Sequence, residues 1–168
     1  MGLGIDINGS RELQATVLSL RQASKEMQSN VRKYTREQLL PEWQKGLAER
    51  AETRLEHRVL VDTGRVKMSN QNVRLSSATV GRKLRGGLNP KTQAYAVEFG
   101  GDRSEYRGYE SRRGGTNFTV RRRTQAQLRP RRRNGYVVYP TAKALVPRFA
   151  SLWVQTVVRS FYDAIERK

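Results

Sequence analysis

A chain of 168 residues carries 33 lysines and arginines against 15 aspartates and glutamates, a formal charge of +18 at pH 7. That length suits one domain with an extended appendage, and a hydrophobic share of 36 % allows only a modest core. The absence of cysteine excludes disulfides, thiolate catalysis and cysteine-ligated metal sites, and no apolar run approaches the ~20 residues of a membrane span.

The amino terminus, MGLGIDINGS, has neither the basic nor the hydrophobic region of a secretory signal, so a soluble protein made in the cytoplasm is expected. Next, Leu13, Val17, Leu20, Ser24, Met27, Val31 and Tyr34 fall alternately four and three apart and form one helical stripe. Asn8 or Ser10 suits the cap of that helix. Thr35 and Gln38 stand at capping-box spacing and Pro41 follows, which predicts a break or kink near residues 35–41. Trp43, Leu47, Ala51 and Leu55 continue the stripe, so the expectation is one long, kinked helix ending near residue 56.

Asp62, Thr63 and Gly64 are turn formers, with Gly64 able to take a positive φ. Val66 and Met68 then alternate with polar neighbours, Asn70–Gln71–Asn72 suits a hairpin turn, and Val73 and Leu75 begin a strand that extends toward Val80. Residues 81–90 are basic and glycine-rich, as a loop is. YAVEFGG at 95–101 is a compact apolar unit closed by glycines, expected to pack the sheet against a helix. Phe118 and Val120 alternate with Thr119 and Arg121, and YVVYP at 136–140 is β-branched and aromatic. These two segments are expected to pair, with residues 121–135 at the tip of their hairpin. Finally, Phe149, Leu152, Trp153, Thr156, Val157, Ser160, Phe161, Ala164 and Ile165 mark a terminal helix. Pro147 suits its first turn, and Arg167 and Lys168 suit its carboxyl end.

The fold class that follows is α+β within a single domain, 1–168. A long N-terminal helix and a C-terminal helix pack on a small, mainly antiparallel sheet, and a basic loop or β-hairpin arm spans 101–135.

Charge is concentrated in that arm. Residues 1–56 carry 9 basic and 8 acidic groups, whereas residues 101–135 carry 11 arginines and 3 acids. Seven of these arginines, Arg121, Arg122, Arg123, Arg129, Arg131, Arg132 and Arg133, fall within thirteen residues. Packing them into a core would be costly, so they are expected to contact phosphates or an acidic protein surface. Tyr106, Tyr109, Phe118, Tyr136 and Tyr139 flank them and are able to stack on bases or simply to belong to strands.

Catalytic signals are weak. His57 is the only histidine and sits at a helix–strand junction beside Glu56 and Arg58. With no second histidine or cysteine to make a ligand set, a structural or surface role is expected of it. A magnesium site would need Asp62, Glu98 and Asp102 together, yet their spacing matches no metal motif. The bland alternatives are a turn former for Asp62 and, for Glu98, a cap, a bond to a backbone amide or an arginine pair. Neither GLG at the amino terminus nor Gly86–Gly87 and Gly114–Gly115 has the surroundings of a phosphate-binding loop. No catalytic residue, metal or cofactor is expected.

The segments VDTGRV (61–66), VG (80–81), YAVEFGG (95–101) and VPRFASLW (146–153) resemble, in order, the tail-completion or head–tail joining proteins of long-tailed bacteriophages. The family is typified by a small neck protein of phage HK97. Asp62, Thr63 and Gly64 match its turn, and Tyr95, Ala96, Glu98, Phe99 and Gly100 its second motif. Pro147, Arg148 and Phe149 keep the residue types of its third in another order. The resemblance implies a non-enzymatic virion protein at the head–tail junction, assembled in the host cytoplasm as a homo-oligomeric ring of six or twelve subunits. Its implied partners are the capsid connector or head-completion protein on one side and the tail tube or terminator proteins on the other. Packaged DNA passes through the lumen, open to non-specific contact, and no membrane is involved. The alternative is a basic module that binds nucleic-acid phosphates through the arm.

Overall fold

The computed structural model describes residues 2–4, 11–69, 72–85, 87–123 and 125–166. Asn8, Ser10, Asn70, Gln71, Gly86, Arg167 and Lys168, to which the sequence assigns caps and turns, lie outside these residues. The fold is α+β, with helices at both ends of the chain and two small antiparallel sheets.

The amino-terminal helical stripe is divided earlier than the proline suggests. Helix α1 covers Arg11–Gln22 and helix α2 covers Lys25–Ala48. Ser24 caps α2 by accepting a bond from the Met27 amide at 3.2 Å. The break shifts the phase of the stripe. Leu13, Val17 and Leu20 are buried on α1, but α2 buries Val31, Thr35, Leu39, Trp43 and Leu47 and leaves Tyr34 52 % exposed. Thr35 does not cap anything; its hydroxyl donates to the Val31 carbonyl one turn back, at 2.7 Å. Pro41 lies within α2. A proline inside a helix costs about 3 kcal/mol, and the full burial of Leu39 and Trp43 on either side of it offsets that cost.

After α2, Thr53 and Glu56 form a reciprocal capping box around a single helical turn, α3 (Arg54–Glu56). The turn runs into a π-helical segment, His57–Val61, and the chain then bends at Asp62–Gly64. Strand β1 covers Gly2–Gly4, β2 covers Arg65–Met68 and β3 covers Val73–Ser76. They form one antiparallel sheet in the order β1-β3-β2, with Val66 opposite Leu75. The β2–β3 hairpin thus matches its alternation, although β3 stops at Ser76 and does not reach Val80.

Two apolar runs lie in helices, the second against expectation. YAVEFGG belongs to a helix, α4 (Pro90–Phe99), which begins with Asn89 capping the Lys91 amide and Pro90 in its first turn. Val138 to Pro140 of YVVYP open the terminal helix α5 (Val138–Glu166), so this run is no strand and cannot pair with Phe118–Val120. Pro147 consequently lies inside α5 and not in its first turn.

Helices α2 and α5 cross where Gly46 lets them approach. A Cβ at Gly46 would lie 2.9 Å from Thr141 Cγ2 and 3.0 Å from Leu145 Cδ1. The Thr141 hydroxyl donates across this contact to the Gly46 carbonyl at 3.0 Å. Arg148 on α5 adds a surface ion pair to Glu42 on α2 at 2.9 Å. Trp43, Leu39, Leu47, Phe149 and Trp153 are fully buried in the resulting core. The Trp43 indole also donates to the Ser76 carbonyl at 3.2 Å, joining α2 to β3. Replacing Trp43 by Phe removes that bond and part of the packed ring. The expected loss is about 2–4 kcal/mol of unfolding free energy, read from the midpoint of a urea titration.

Candidate functional site

Strands β4 (Arg107–Arg113) and β5 (Thr116–Arg122) pair antiparallel over seven residues each and form the arm. Gly114 and Gly115 make its two-residue turn with φ of 58° and 87°, the left-handed region in which glycine carries no steric penalty. The pairing therefore differs from that expected: Phe118 and Val120 lie opposite Ser111 and Tyr109, not opposite 136–140. The glycine pair is the tip, and Arg121–Arg123 lie toward the base.

Among the described residues the two strands pack chiefly on each other. Every residue of β4 and β5 is exposed except Ser111 and Val120, which are half-buried. Cross-strand register separates its two faces. Tyr109, Phe118 and Val120 share one face with Arg107, Arg113 and Arg122. The other carries Arg112, Arg121, and Glu110 bonded to the Thr119 hydroxyl at 2.7 Å. Arg121 and Arg123 lie over the Tyr106 ring at 5.7 and 4.6 Å, and Arg122 over Tyr109 at 5.8 Å. Among the described residues, Arg112, Arg113, Arg121, Arg122 and Arg123 have no carboxylate within ion-pair distance. Stacking orients the guanidinium groups of Arg121, Arg122 and Arg123 without using up their in-plane donors.

The arm's base is tied to the body by a crossing of two backbone segments. Helix α4 ends at Gly100 with φ 75°, where a Cβ would lie 2.2 Å from the Pro130 carbonyl oxygen. The returning chain bonds alongside: the Gly101 amide donates to Arg129 O at 3.0 Å, Arg132 to Phe99 O at 2.8 Å and Tyr136 to Glu98 O at 3.0 Å. Glu98, fully buried, directs its carboxylate at the start of α5 and accepts from the amides of Val137, Val138 and Tyr139 at 2.9–3.3 Å. Gly135, with φ 67°, passes so close that a Cβ would lie 2.2 Å from Glu98 Oε1.

Of the seven arm arginines, Arg129 stands apart. It bonds Glu52 at 2.8 Å, reaches Glu56 at 3.5 Å and lies 3.8 Å from the centre of the Tyr136 ring. Glu56 is itself nearly fully buried and holds the amides of Glu52 and Thr53. Arg129 therefore fastens the arm's return to the α2–α3 connection. Arg132 also lies over Tyr136, at 5.2 Å, while Arg131 and Arg133 are exposed.

The remaining motif residues divide by task. Thr63 donates to Val59 O and accepts from the Ala78 amide, both at 2.6 Å, so it locks the bend onto the end of β3. Gly64 does not adopt the positive φ expected of it; it is needed because a Cβ would lie 2.9 Å from Leu47 Cδ1. Asp62 is exposed, and Asp102 takes the Ser104 amide and hydroxyl, which hold its carboxyl below the usual range. Asp62, Glu98 and Asp102 do not come together: among the described residues no group of three side chains is placed to hold a metal. Tyr95 does not pack the sheet; it is 64 % exposed and forms a surface row with Phe99 and Tyr139 at ring separations of 4.5 and 5.2 Å. Ala96 is half-buried, Phe149 buried and Pro147 exposed. Nothing in the sequence marks Glu52 and Glu56 as partners of Arg129, although the Thr53–Glu56 spacing signals a cap.

No protein-family model, characterised protein or solved structure matches the chain.

Burial pushes the Glu98 carboxyl above the usual range, and the amides of Val138, Tyr139, Val137 and Tyr136 pull it partly back. A carboxyl whose pKa is higher in the folded chain adds stability below its unfolded pKa and loses that addition as pH rises through the folded value. Glu98→Gln keeps the shape but loses acceptors, so it is expected to cost about 2 kcal/mol near neutral pH. That deficit should be larger near pH 4 and shrink as pH rises, which paired urea titrations across this range would show. The arginines should separate in the same assay. Arg129→Ala is expected to cost about 1–2 kcal/mol, whereas replacing Arg121–Arg123 by Ala should move stability by less than about 0.5 kcal/mol.

Proposed function

We propose that this chain is a non-enzymatic ring subunit of a phage neck, joining the capsid connector or head-completion protein to the tail. The observation that carries the reading is the β4–β5 arm, a ribbon with an aromatic face that is almost wholly exposed among the described residues. An isolated two-stranded hairpin is marginal in water, and one built on a stable body gains its order when a neighbouring surface covers it. Identical neighbours arranged in a closed ring supply such a surface to every arm at once. The resemblance at Asp62–Gly64, at Tyr95–Gly100 and around Pro147–Phe149 supports the same role, for which no catalytic step is needed. Arginine suits both faces of this task, since it is favoured at interface cores and pairs with carboxylates in fixed geometry. In the virion the ring would lie at the head–tail junction and hold six or twelve subunits around the DNA path.

One feature favours the nucleic-acid alternative enough to be tested beside it: the tyrosine-stacked arginines keep free donors suited to phosphates. Sedimentation of the full chain at rising concentration should show assemblies of several subunits. A variant with residues 107–122 replaced by a short glycine–serine turn should keep its helical content and remain a monomer. A full chain that stays monomeric at every concentration, and in which Ala at Arg121–Arg123 abolishes a steeply salt-dependent affinity for duplex DNA, would overturn the ring reading in favour of the alternative.

A further inference from the structure

A second basic surface lies away from the arm, between the first half of α2 and the edge of the sheet. It is a groove of ≈ 860 Å³, lined by Arg32, Lys33 and Arg36 from α2 and by Arg65 and Lys67 from β2, against the single carboxylate of Glu37. Among the described residues none of the five cations has an ion-pair partner. Two of them are braced by backbone oxygens instead: Arg32 donates to Gln28 O at 3.2 Å, and Arg65 to Gly64 O at 2.7 Å. Leu40, Val66 and Met68 add apolar surface beneath them.

The strand that lines the groove also carries an open hydrogen-bond ladder. Strand β2 ends the sheet order and, among the described residues, pairs only with β3. The Ser69 amide donates to Asn72 O at 2.9 Å, which makes these two a hydrogen-bonded pair. Alternation then makes Lys67–Arg74 and Arg65–Ser76 the next such pairs and turns the N–H and C=O of Val66 and Met68 away from β3. Two outward donors and two outward acceptors are the requirements for an added strand. Basic side chains on an edge repel another basic strand. With cations on both walls of this groove, the same charges attract an acidic one.

We infer that the groove binds an extended acidic segment of a different protein, which adds to the sheet as a strand beside β2. A second copy of this chain is a poor occupant. Its 15 acidic residues include no two that are adjacent or two apart in sequence, so no strand of it clusters carboxylates. A phosphodiester backbone would answer the cations but would leave the Val66 and Met68 amides and the apolar floor unused. The site does not depend on the ring reading, and each can fail alone.

The test is amide hydrogen exchange on the full chain with a blocked peptide of five Glu-Val repeats, its N-methylated analogue and a short DNA duplex. The Val66 and Met68 amides should gain protection from the plain peptide and none from the analogue. Arg32→Glu with Arg36→Glu should weaken the peptide roughly tenfold or more, while Ala at Arg121–Arg123 leaves it unchanged. If the double variant does not fold, Lys67→Glu on the exposed edge takes its place. Three results would overturn the inference: no peptide binding, binding without protection at Val66 and Met68, or displacement of the peptide by the duplex with affinity for DNA lost in the charge-reversed variant.

Discussion

The Glu98 carboxylate at the head of α5 is the contact on which the rest of the architecture depends. A buried carboxyl is costly unless its oxygens are satisfied, and here the amides that begin the 29-residue helix satisfy them. One side chain of α4 thereby fixes where α5 starts, and α5 in turn supplies Phe149 and Trp153 to the core shared with α2. Gly100 and Gly135 follow from the same contact. Two backbones must pass close to Glu98 and to each other, and a Cβ at either position would strike an oxygen at 2.2 Å. The arm leaves and returns through this crossing, so its base is tied to the body while its strands stay exposed.

That arrangement explains how a chain of charge +18 segregates its cations. Arg129 is drawn into the structure by Glu52, Glu56 and the Tyr136 ring, because the return segment brings it over the capping box of α3. Arg107 pairs with Glu105 at the surface, and the other arm arginines meet tyrosines or solvent. An exposed ion pair adds little in any case. Leaving Arg112, Arg113 and Arg121–Arg123 unpaired therefore costs the monomer almost nothing and keeps them free for a partner.

Much of this was legible in the residues, and the failures have physical causes. The β2–β3 hairpin was readable because strict alternation over four residues has few other solutions. The stripes of α1, α2 and α5 were readable for the analogous reason, whereas the position of the first break was not. Thr35 and Pro41 carry break signals that buried neighbours override, and Ser24, read as part of the stripe, is the cap. YAVEFGG and YVVYP were ambiguous because short apolar runs fit helix and strand equally. Asn89–Pro90 was a usable start signal for α4. The start of α5 had no local signal, since its cap comes from Glu98, some forty residues earlier. The arm's true pairing was marked by Gly114–Gly115 between alternating segments, but the arginine run drew the expected tip to the wrong place.

The two free basic surfaces differ in what they can recognise, and the difference lies in how the cations are placed. In the arm they stand on a two-stranded ribbon beside stacked tyrosines, an aromatic face and a glycine tip. Such a surface can follow the contour of a neighbour or of a phosphate chain. In the groove the charge accompanies unpaired amides and carbonyls of β2, which accept a partner only in extended form and at fixed spacing. A subunit that must meet identical neighbours and also unlike proteins would need both kinds of surface. On the proposed reading, the arm serves repetition around a ring and the groove serves attachment to a distinct acidic partner.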